Sequence, residues 1–256
     1  MKFDEIREYW ENRARADGSA QATTNDVYLR EIEYRTINGA LYKVAPKSVL
    51  DIGCGDGRTT IRLAQSHPNC RFVGLDYASS MVDIARGLVA DAAIPNLSVR
   101  MGDVTESLHK ESADFVYTTR CLINLPSFEV QASALTNIVS ALRPGGHYLM
   151  VENFIEGHDR FNAVRRDFGL SEIPVRTHNT FFERDKVANL LSGHGRIVRE
   201  ENISSIYYLV SRVVYAKICK DHGLDPSYFD VHHALGAQLP FVGEFGPVRA
   251  VLFQKD

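Results

Sequence analysis

The sequence predicts an α/β protein: a doubly wound, seven-stranded, mostly parallel sheet with helical material added over one edge. Three observations carry this. Short β-rich apolar runs alternate with amphipathic stretches between Ser48 and Glu152, the rhythm of a parallel sheet with helices on both faces. The first run stops on the glycine-rich turn "VLDIGCGDG". Two later runs, "GRIVREENI" and "VRAVLFQK", continue the sheet after the alternation breaks.

Each element has its own warrant. Phe3, Ile6 and Trp10 fall at helical spacing and open the chain with a helix of one apolar face. "RADGSAQATTND" is a polar link, and Asp26 has the chemistry to cap a second helix running to Tyr42. Strands are expected at "SVLDIG", "RFVGLD", "LSVRMGD", "ADFVYTT" and "GGHYLMVEN", with helices near 58–66, 78–93 and 128–142. Pro144-Gly145-Gly146 ends the third of these helices and turns the chain into the fifth strand. Residues 153–182 read as a polar connection without a clear strand, and a helix resumes near 183–192. Residues 205–245 are too long for a plain loop. Within them "YYLVSRVVYAKI" reads as a buried helix, with Tyr207, Tyr208 and Tyr215 as the alternative of an aromatic substrate wall. The expected organisation is a helical lid over 1–45 and a core over 46–256, with cap insertions at 153–182 and 205–245.

Composition narrows the partners. The chain has 256 residues and a formal net charge of -3, which gathers neither nucleic acid nor an anionic membrane. The opening "MKFDEIREYW" lacks the apolar core of a signal peptide. The most apolar segment, Ile206 to Ile218, is interrupted by Arg212 and falls short of the roughly 20 apolar residues a bilayer span needs. Cys54, Cys70, Cys121 and Cys219 form no CxxC pair, so reduced thiols in a cytoplasm are expected rather than structural zinc or disulfides. In "SYFDVHH", Asp230, His232 and His233 raise the thought of a metal site, but adjacent histidines tend to diverge and no metal is expected.

The glycine turn is the first functional signal. A strand, a glycine turn and a helix N-terminus place a ligand at the carboxyl end of a parallel strand, where backbone N–H groups face it. The pattern here is GxGxG, with Arg58 where a dinucleotide motif carries its third glycine. Asp76 ends the second strand and suits both hydroxyls of a ribose, in nicotinamide enzymes as well as others. Asp103 ends the third strand in "RMGDV", placed to accept from an adenine amino group.

At this point the chain resembles the class I S-adenosylmethionine-dependent methyltransferases. The matching stretches are "VLDIGCGDG", "VGLDYASSMVDIAR", "GDV", "ADFVYTTRCLINL" and "LRPGGHYLMVE", in the family's order over 48–152. The resemblance implies a Rossmann-like sheet whose last strand, "VRAVLFQK", is antiparallel, and S-adenosyl-L-methionine as cofactor. It implies that Asp51, Gly53, Cys54, Gly55, Asp56 and Gly57 cradle the methionine part, with Asp51 near its cationic centres. It gives Asp76 the ribose, Tyr77 and Met81 the adenine faces, and Asp103 and Val104 the adenine edge. Thr119 and Arg120 then lie beside the sulfonium. The rivals are an NAD(P)-dependent dehydrogenase and a non-catalytic cofactor-binding protein.

The acceptor is expected to be a small, polar or anionic metabolite, methylated on oxygen rather than nitrogen. The [ND]PP[YF] tetrapeptide of family members acting on base amines or glutamine amides is absent after "ADFVYTT", where the chain reads "TTRCLINLPS". Arg120, Asn124 and Glu152 fall near strand carboxyl ends, and Arg120 is alternatively a structural partner of Asp103 or Glu152. "VRTHNTFF" offers Arg176 and Asn179 for an anionic group and His178 as a base, unless it is only a solvated loop. His178, Arg120 and Glu152 are thus the candidate catalytic residues. Tyr28 and Arg30, with Tyr9 and Tyr34, are expected to face the cofactor mouth from the lid, the alternative being a helix pair that only covers the sheet edge.

Overall fold

A computed structural model of the protein describes residues 3–16 and 24–256, with side chains from Glu5 onward. The Phe3 side chain and most of the expected polar link, residues 17–23, lie outside the described residues. The strands are β1 (Ser48–Ile52), β2 (Arg71–Asp76), β3 (Leu97–Met101), β4 (Ala113–Thr119), β5 (Leu142–Asn153), β6 (Gly195–Asn202) and β7 (Val248–Lys255). They form one sheet in the order β3-β2-β1-β4-β5-β7-β6. β1 pairs in parallel with β2 and β4, and β4 with β5, while β7 runs antiparallel between β5 and β6. The strand order reverses at β1, which opens a crevice at the carboxyl ends of β1 and β4.

Alternating residues send β1 into two cores. Val49 packs on one face with Phe72, Phe115 and Tyr117, while Leu50 and Ile52 pack on the other with Val116, Tyr148 and Met150. Helix α2 (Val27–Val44) closes the first face with Leu29, Ile32, Ile37 and Leu41. α5 (Phe128–Ala141) and α7 (Arg184–Ser192) help close the second with Leu135, Ile138, Val187 and Leu191. Asp26 accepts the Leu29 N–H at 3.0 Å and caps α2 as its position predicts.

Three expectations are corrected here. α2 packs as core rather than lid, because its apolar stripe has no other place to go. Tyr34 bonds Ser66 of α3 (Arg58–Ser66) at 3.1 Å, and Asn38 bonds His67 at 2.8 Å, pinning α2 further. Pro144-Gly145-Gly146 lies inside β5 and shifts its register against β4 instead of forming the turn before the strand. Residues 153–182 contain a helix, α6 (Ile155–Asp167), whose buried positions Gly157, His158, Phe161, Asn162 and Arg165 are mostly polar. A hydrophobic template cannot register a stripe of that chemistry.

Of the segment expected as a lid, α1 (Phe3–Ala16) lies on α4 (Ser79–Asp91). Trp10 and Ala14 pack with Ala78, Met81 and Ile84. The residue before α4 is Ala78, which has no side chain to cap the helix. Glu11 of α1 supplies the cap, accepting the N–H groups of Ser79 at 2.7 Å and Ser80 at 3.1 Å.

The 205–245 segment holds α8 (Ser205–Tyr208), a π-helical turn (Leu209–Val214), α9 (Tyr215–His222) and α10 (Val231–Gly236). Tyr207 is buried there by its hydrogen bonds to Asp26 and His233. His232 turns instead to Asp230 at 2.6 Å, so the adjacent histidines do diverge. Among the described residues no group of three or more His, Cys, Asp and Glu side chains is placed to hold a metal ion. No described helix is long and apolar enough to cross a membrane.

Candidate active site

The crevice at β1 and β4 widens into a cleft bordered by Trp10, Gly53, Gly55, Asp76 and Asp103. Gly53 and Gly55 form its floor at φ of +76° and +54°, a backbone region that side chains with a Cβ enter only with strain. A Cβ on Gly53 would stand 2.3 Å from Cys121 Sγ, so this glycine also lets the segment after β4 close against the turn. The backbone N–H groups are not the open donors expected from the motif. Gly53 and Cys54 donate to Leu75 O, Gly57 to Cys54 O, and Gly55 to Asp76 Oδ2 at 2.8 Å. The turn is tied to β2 and offers shape rather than free donors.

Asp76 is 8% exposed and borders the cleft. Its other oxygen accepts the Ala78 N–H at 2.9 Å. A carboxylate has about four acceptor sites, so acceptor capacity remains toward the cleft for a ligand hydroxyl. Burial pushes its pKa up to about 6, against the backbone hydrogen bonds that lower it. Asp103 holds Thr105 through N–H (2.8 Å) and hydroxyl (2.7 Å), which fixes it on the same wall with Gly102 and Val104. Trp10, Met81 and Leu125 supply apolar surface. A diol acceptor beside flat apolar walls fits an adenosyl group.

A second cleft meets the first at Trp10 and Arg120, which line both. Four guanidiniums border it, from Arg13, Arg120, Arg176 and Arg212, against the single carboxylate of Asp26. Arg120 is held at φ +47° and pairs with Glu33 of α2 at 2.6 Å. Arg212 sits on the π-helical turn, pairs with Asp26 and lies 4.6 Å over the Tyr208 ring. Its carbonyl accepts from Arg165 of α6. Asn179 donates to Asn124 at 3.1 Å, joining the insertion to the segment after β4.

The expected residues divide. Gly53, Gly55, Asp76, Tyr77, Met81, Asp103, Val104 and Arg120 border the first cleft. Asn124 borders it as well, while Arg176 and Asn179 border the second. Asp51, Cys54, Asp56, Gly57 and Thr119 border neither. Asp51 accepts from Tyr117 OH at 2.7 Å and from Thr60, and burial pushes its pKa up to about 7. Asp56 accepts the Arg58 N–H at 3.2 Å, next to Gly57, whose φ of +73° ends the turn at α3.

Four placements correct the expectation. Glu152 is fully buried, and its oxygens accept the N–H groups of Cys121, Leu122 and Ile123 at 3.0, 3.0 and 3.3 Å. It anchors the segment after β4 and faces neither cleft, because an acceptor with three amide donors is a hub for backbone. His178 stacks on Tyr9 with ring centroids 4.6 Å apart, fastening α1 to the insertion rather than facing substrate. Tyr28 packs near His233, at 6.3 Å, and Arg30 faces Asp56 electrostatically. Neither borders a cleft, since α2 turns that surface inward.

Sequence reasoning missed Trp10, Arg13, Asn153, His158 and Arg212 as site residues. One signal was available for Trp10, the only tryptophan in the chain, because an amphipathic aromatic is suited to a half-wet wall. Arg212 stood out as the charge inside an apolar run.

Comparison with known proteins bears on these clefts. Residues 49–146, which carry the glycine turn, Asp76 and Asp103, match a family model described as a methyltransferase domain. The chain is 30% identical over 102 residues to trans-aconitate 2-methyltransferase of Methylobacterium radiotolerans, covering 40% of this chain and 36% of that protein. It is 31% identical over 107 residues to demethylmenaquinone methyltransferase of Lactococcus lactis, covering 41% of each. The matched stretch is thus less than half the length of either relative. Among solved structures, the N-methyltransferase NodS of Bradyrhizobium japonicum, in complex with S-adenosyl-L-homocysteine, superposes with a TM-score of 0.60 at 16% identity over 98% of both chains. Phosphoethanolamine N-methyltransferase 1 of Haemonchus contortus gives 0.64 at 16% identity, over 99% of this chain and 49% of that one. At such identities these structures speak for the fold alone. The family match falls on the strands and turn that build the first cleft, so residues 49–146 carry a methyltransferase domain, of the kind whose cofactor is S-adenosylmethionine.

Proposed function

We propose that this protein transfers a methyl group from S-adenosylmethionine to an oxygen of a small anionic metabolite held in the second cleft. One observation carries the reading: an arginine-lined cleft opens directly onto the cofactor cleft at Trp10 and Arg120. With Arg120 paired to Glu33 and Arg212 to Asp26, Arg13 and Arg176 add positive charge to the cleft wall of a chain of net charge -3, which favours an anion. Relatives named for trans-aconitate, a polyanion, agree with that preference. The NAD(P) reading loses its ground with the family match.

Bound S-adenosylmethionine supplies an electrophilic methyl carbon on a sulfonium. The chain's part is to bind, orient and keep water out. Asp76 would accept from the ribose hydroxyls and Asp103 from the adenine edge, while Met81 and Tyr77 border the ring. Trp10 covers the junction, and Arg120 and Asn124 steer the acceptor toward it. Orientation of this kind contributes about 7–11 kcal/mol in well-aligned reactions.

The test has two parts. Calorimetry should show tight binding of S-adenosylhomocysteine and none of NADH. Labelled S-adenosylmethionine incubated with fractionated metabolites should then give a labelled product that is anionic before methylation, identified by mass spectrometry. Tight NADH binding, or a cationic acceptor, would overturn the proposal.

A further inference from the structure

Resting on the methyl-transfer reading above, we propose that the acceptor atom is an oxygen of a carboxylate that enters the second cleft already ionised, so that the product is a methyl ester. Every described carboxylate and imidazole bordering that cleft is committed elsewhere. Asp26 Oδ1 takes the Leu29 N–H and the Tyr207 hydroxyl, and Oδ2 takes Arg212. His158 is also engaged. Asn162 Oδ1 accepts the Ile173 N–H at 3.0 Å, which orients its amide so that Nδ2 donates to His158 Nε2 at 3.2 Å. The other imidazole nitrogen is then the protonated one, and the Ile173 backbone interacts with the same ring. The Tyr208 hydroxyl is held neutral by burial. His178 and Glu152 stand outside the cleft.

These commitments select among nucleophiles. An alcohol or phenol must lose a proton as it reacts and asks for a base. An amine arrives protonated at neutral pH and meets the four guanidiniums of Arg13, Arg120, Arg176 and Arg212. A carboxylate is attracted by the same groups and needs no proton removed. Its oxygen lone pair forms the O–C bond to the methyl carbon, and the C–S bond breaks with its electron pair passing to sulfur. The carboxylate loses its negative charge and the sulfonium its positive one, with no proton transferred. The product carries one negative charge fewer than the acid that was drawn in, which favours release. Arg176 makes no ion pair among the described residues and stands exposed at the cleft wall, available to the incoming anion. Asn153 Oδ1 lies buried on that wall without a partner among the described residues. It matches a hydroxyl or amide donor on the same molecule.

Three measurements on the full chain test this. Product made with methyl-labelled S-adenosylmethionine from a metabolite extract is treated with mild alkali: an ester releases labelled methanol, whereas ethers, methylamines and phosphate methyl esters keep the label. Release of most of the label is expected, and retention overturns the proposal. Independently of turnover, protein saturated with S-adenosylhomocysteine is titrated in a calorimeter with mono-, di- and tricarboxylic acids, each paired with its neutral amide. The best acid should bind at least about tenfold more tightly than its amide, as expected for charge-assisted bonds, and Arg176→Ala should narrow that gap. If no acid binds more tightly than its amide, the proposal is overturned. With the acceptor in hand and S-adenosylmethionine saturating at every pH, kcat/KM for the fully ionised acceptor should be flat from pH 6 to 9; a rise across that range would reveal a protein base and overturn it. Failure to bind S-adenosylhomocysteine at all would instead remove the methyl-transfer reading itself.

Discussion

Asp76 and Glu152 are both buried carboxylates at strand ends, and their partners separate their roles. Asp76 keeps lone pairs toward a cleft, whereas Glu152 gives its oxygens to three backbone amides. Asp76→Ala removes charge-assisted bonds worth about 1.5–3 kcal/mol each and should weaken S-adenosylhomocysteine at least tenfold in calorimetry, with the circular dichroism spectrum unchanged. Unchanged affinity in the folded variant would sink the ribose assignment. Glu152→Gln replaces one oxygen by an NH2 that faces amide donors, leaving one or more unsatisfied at about 1–3 kcal/mol each. Its melting temperature should fall by several degrees; a variant as stable as the wild type would mean the anchor contributes nothing. The sequence placed both residues at strand ends, but a carboxylate's burden depends on which amides fold against it. That information lies in the segment after β4, whose backbone conformation has no periodic signature.

Among the elements, α1 was read from its spacing of apolar residues, and its function as a lid is a proposal that its contacts refine. Glu11 closes the N-terminus of α4, 68 residues away, and Tyr9 stacks on His178 of the insertion. Those two contacts bracket Trp10, which borders both clefts. Losing a helix cap costs about 1 kcal/mol, so Glu11→Ala should speed S-adenosylhomocysteine dissociation roughly fivefold in stopped flow. Amide exchange in α1 should rise while exchange in α2 stays the same. Equal dissociation rates in variant and wild type would show that α1 is a fixed cover. α6 was missed because its buried face is polar, and the π-helical turn was missed because sequence carries no rule for it. Such turns often mark functional sites, and this one carries Arg212 into the second cleft.

Across the whole molecule, burial raises the pKa of Asp51 and Glu152 to about 7 and of Asp76 to about 6. A carboxyl raised above its unfolded value stabilises fully below about pH 4 and loses that contribution as pH rises through the folded value. Burial lowers His158, His178 and His233, and these act in the opposite sense, losing stability as pH falls. The cofactor's effect separates from both, because a ribose diol requires Asp76 ionised. Affinity for S-adenosylhomocysteine should rise about tenfold between pH 5 and 7.5 and level off above. Calorimetry in buffers of matched ionic strength checks it, and an Asp76→Ala variant should be flat over the same range. A flat wild-type profile would show that the Asp76 carboxyl is not what the ribose meets.

The sequence by itself determined the sheet, its glycine turn, and the strand-end positions of Asp76 and Asp103. These follow from short β-rich apolar runs set between helical stretches, from turns that only glycine adopts readily, and from the rule that ligands bind at the carboxyl ends of parallel strands. Each is a local property of neighbouring residues. Tertiary structure decided the acceptor side. Arg120 meets Glu33 across 87 residues, Arg212 meets Asp26 across 186, and Asn179 meets Asn124 across 55. A charge in a sequence is the same whether it faces solvent, a partner or a cleft, and only the folded arrangement of distant segments chooses among them.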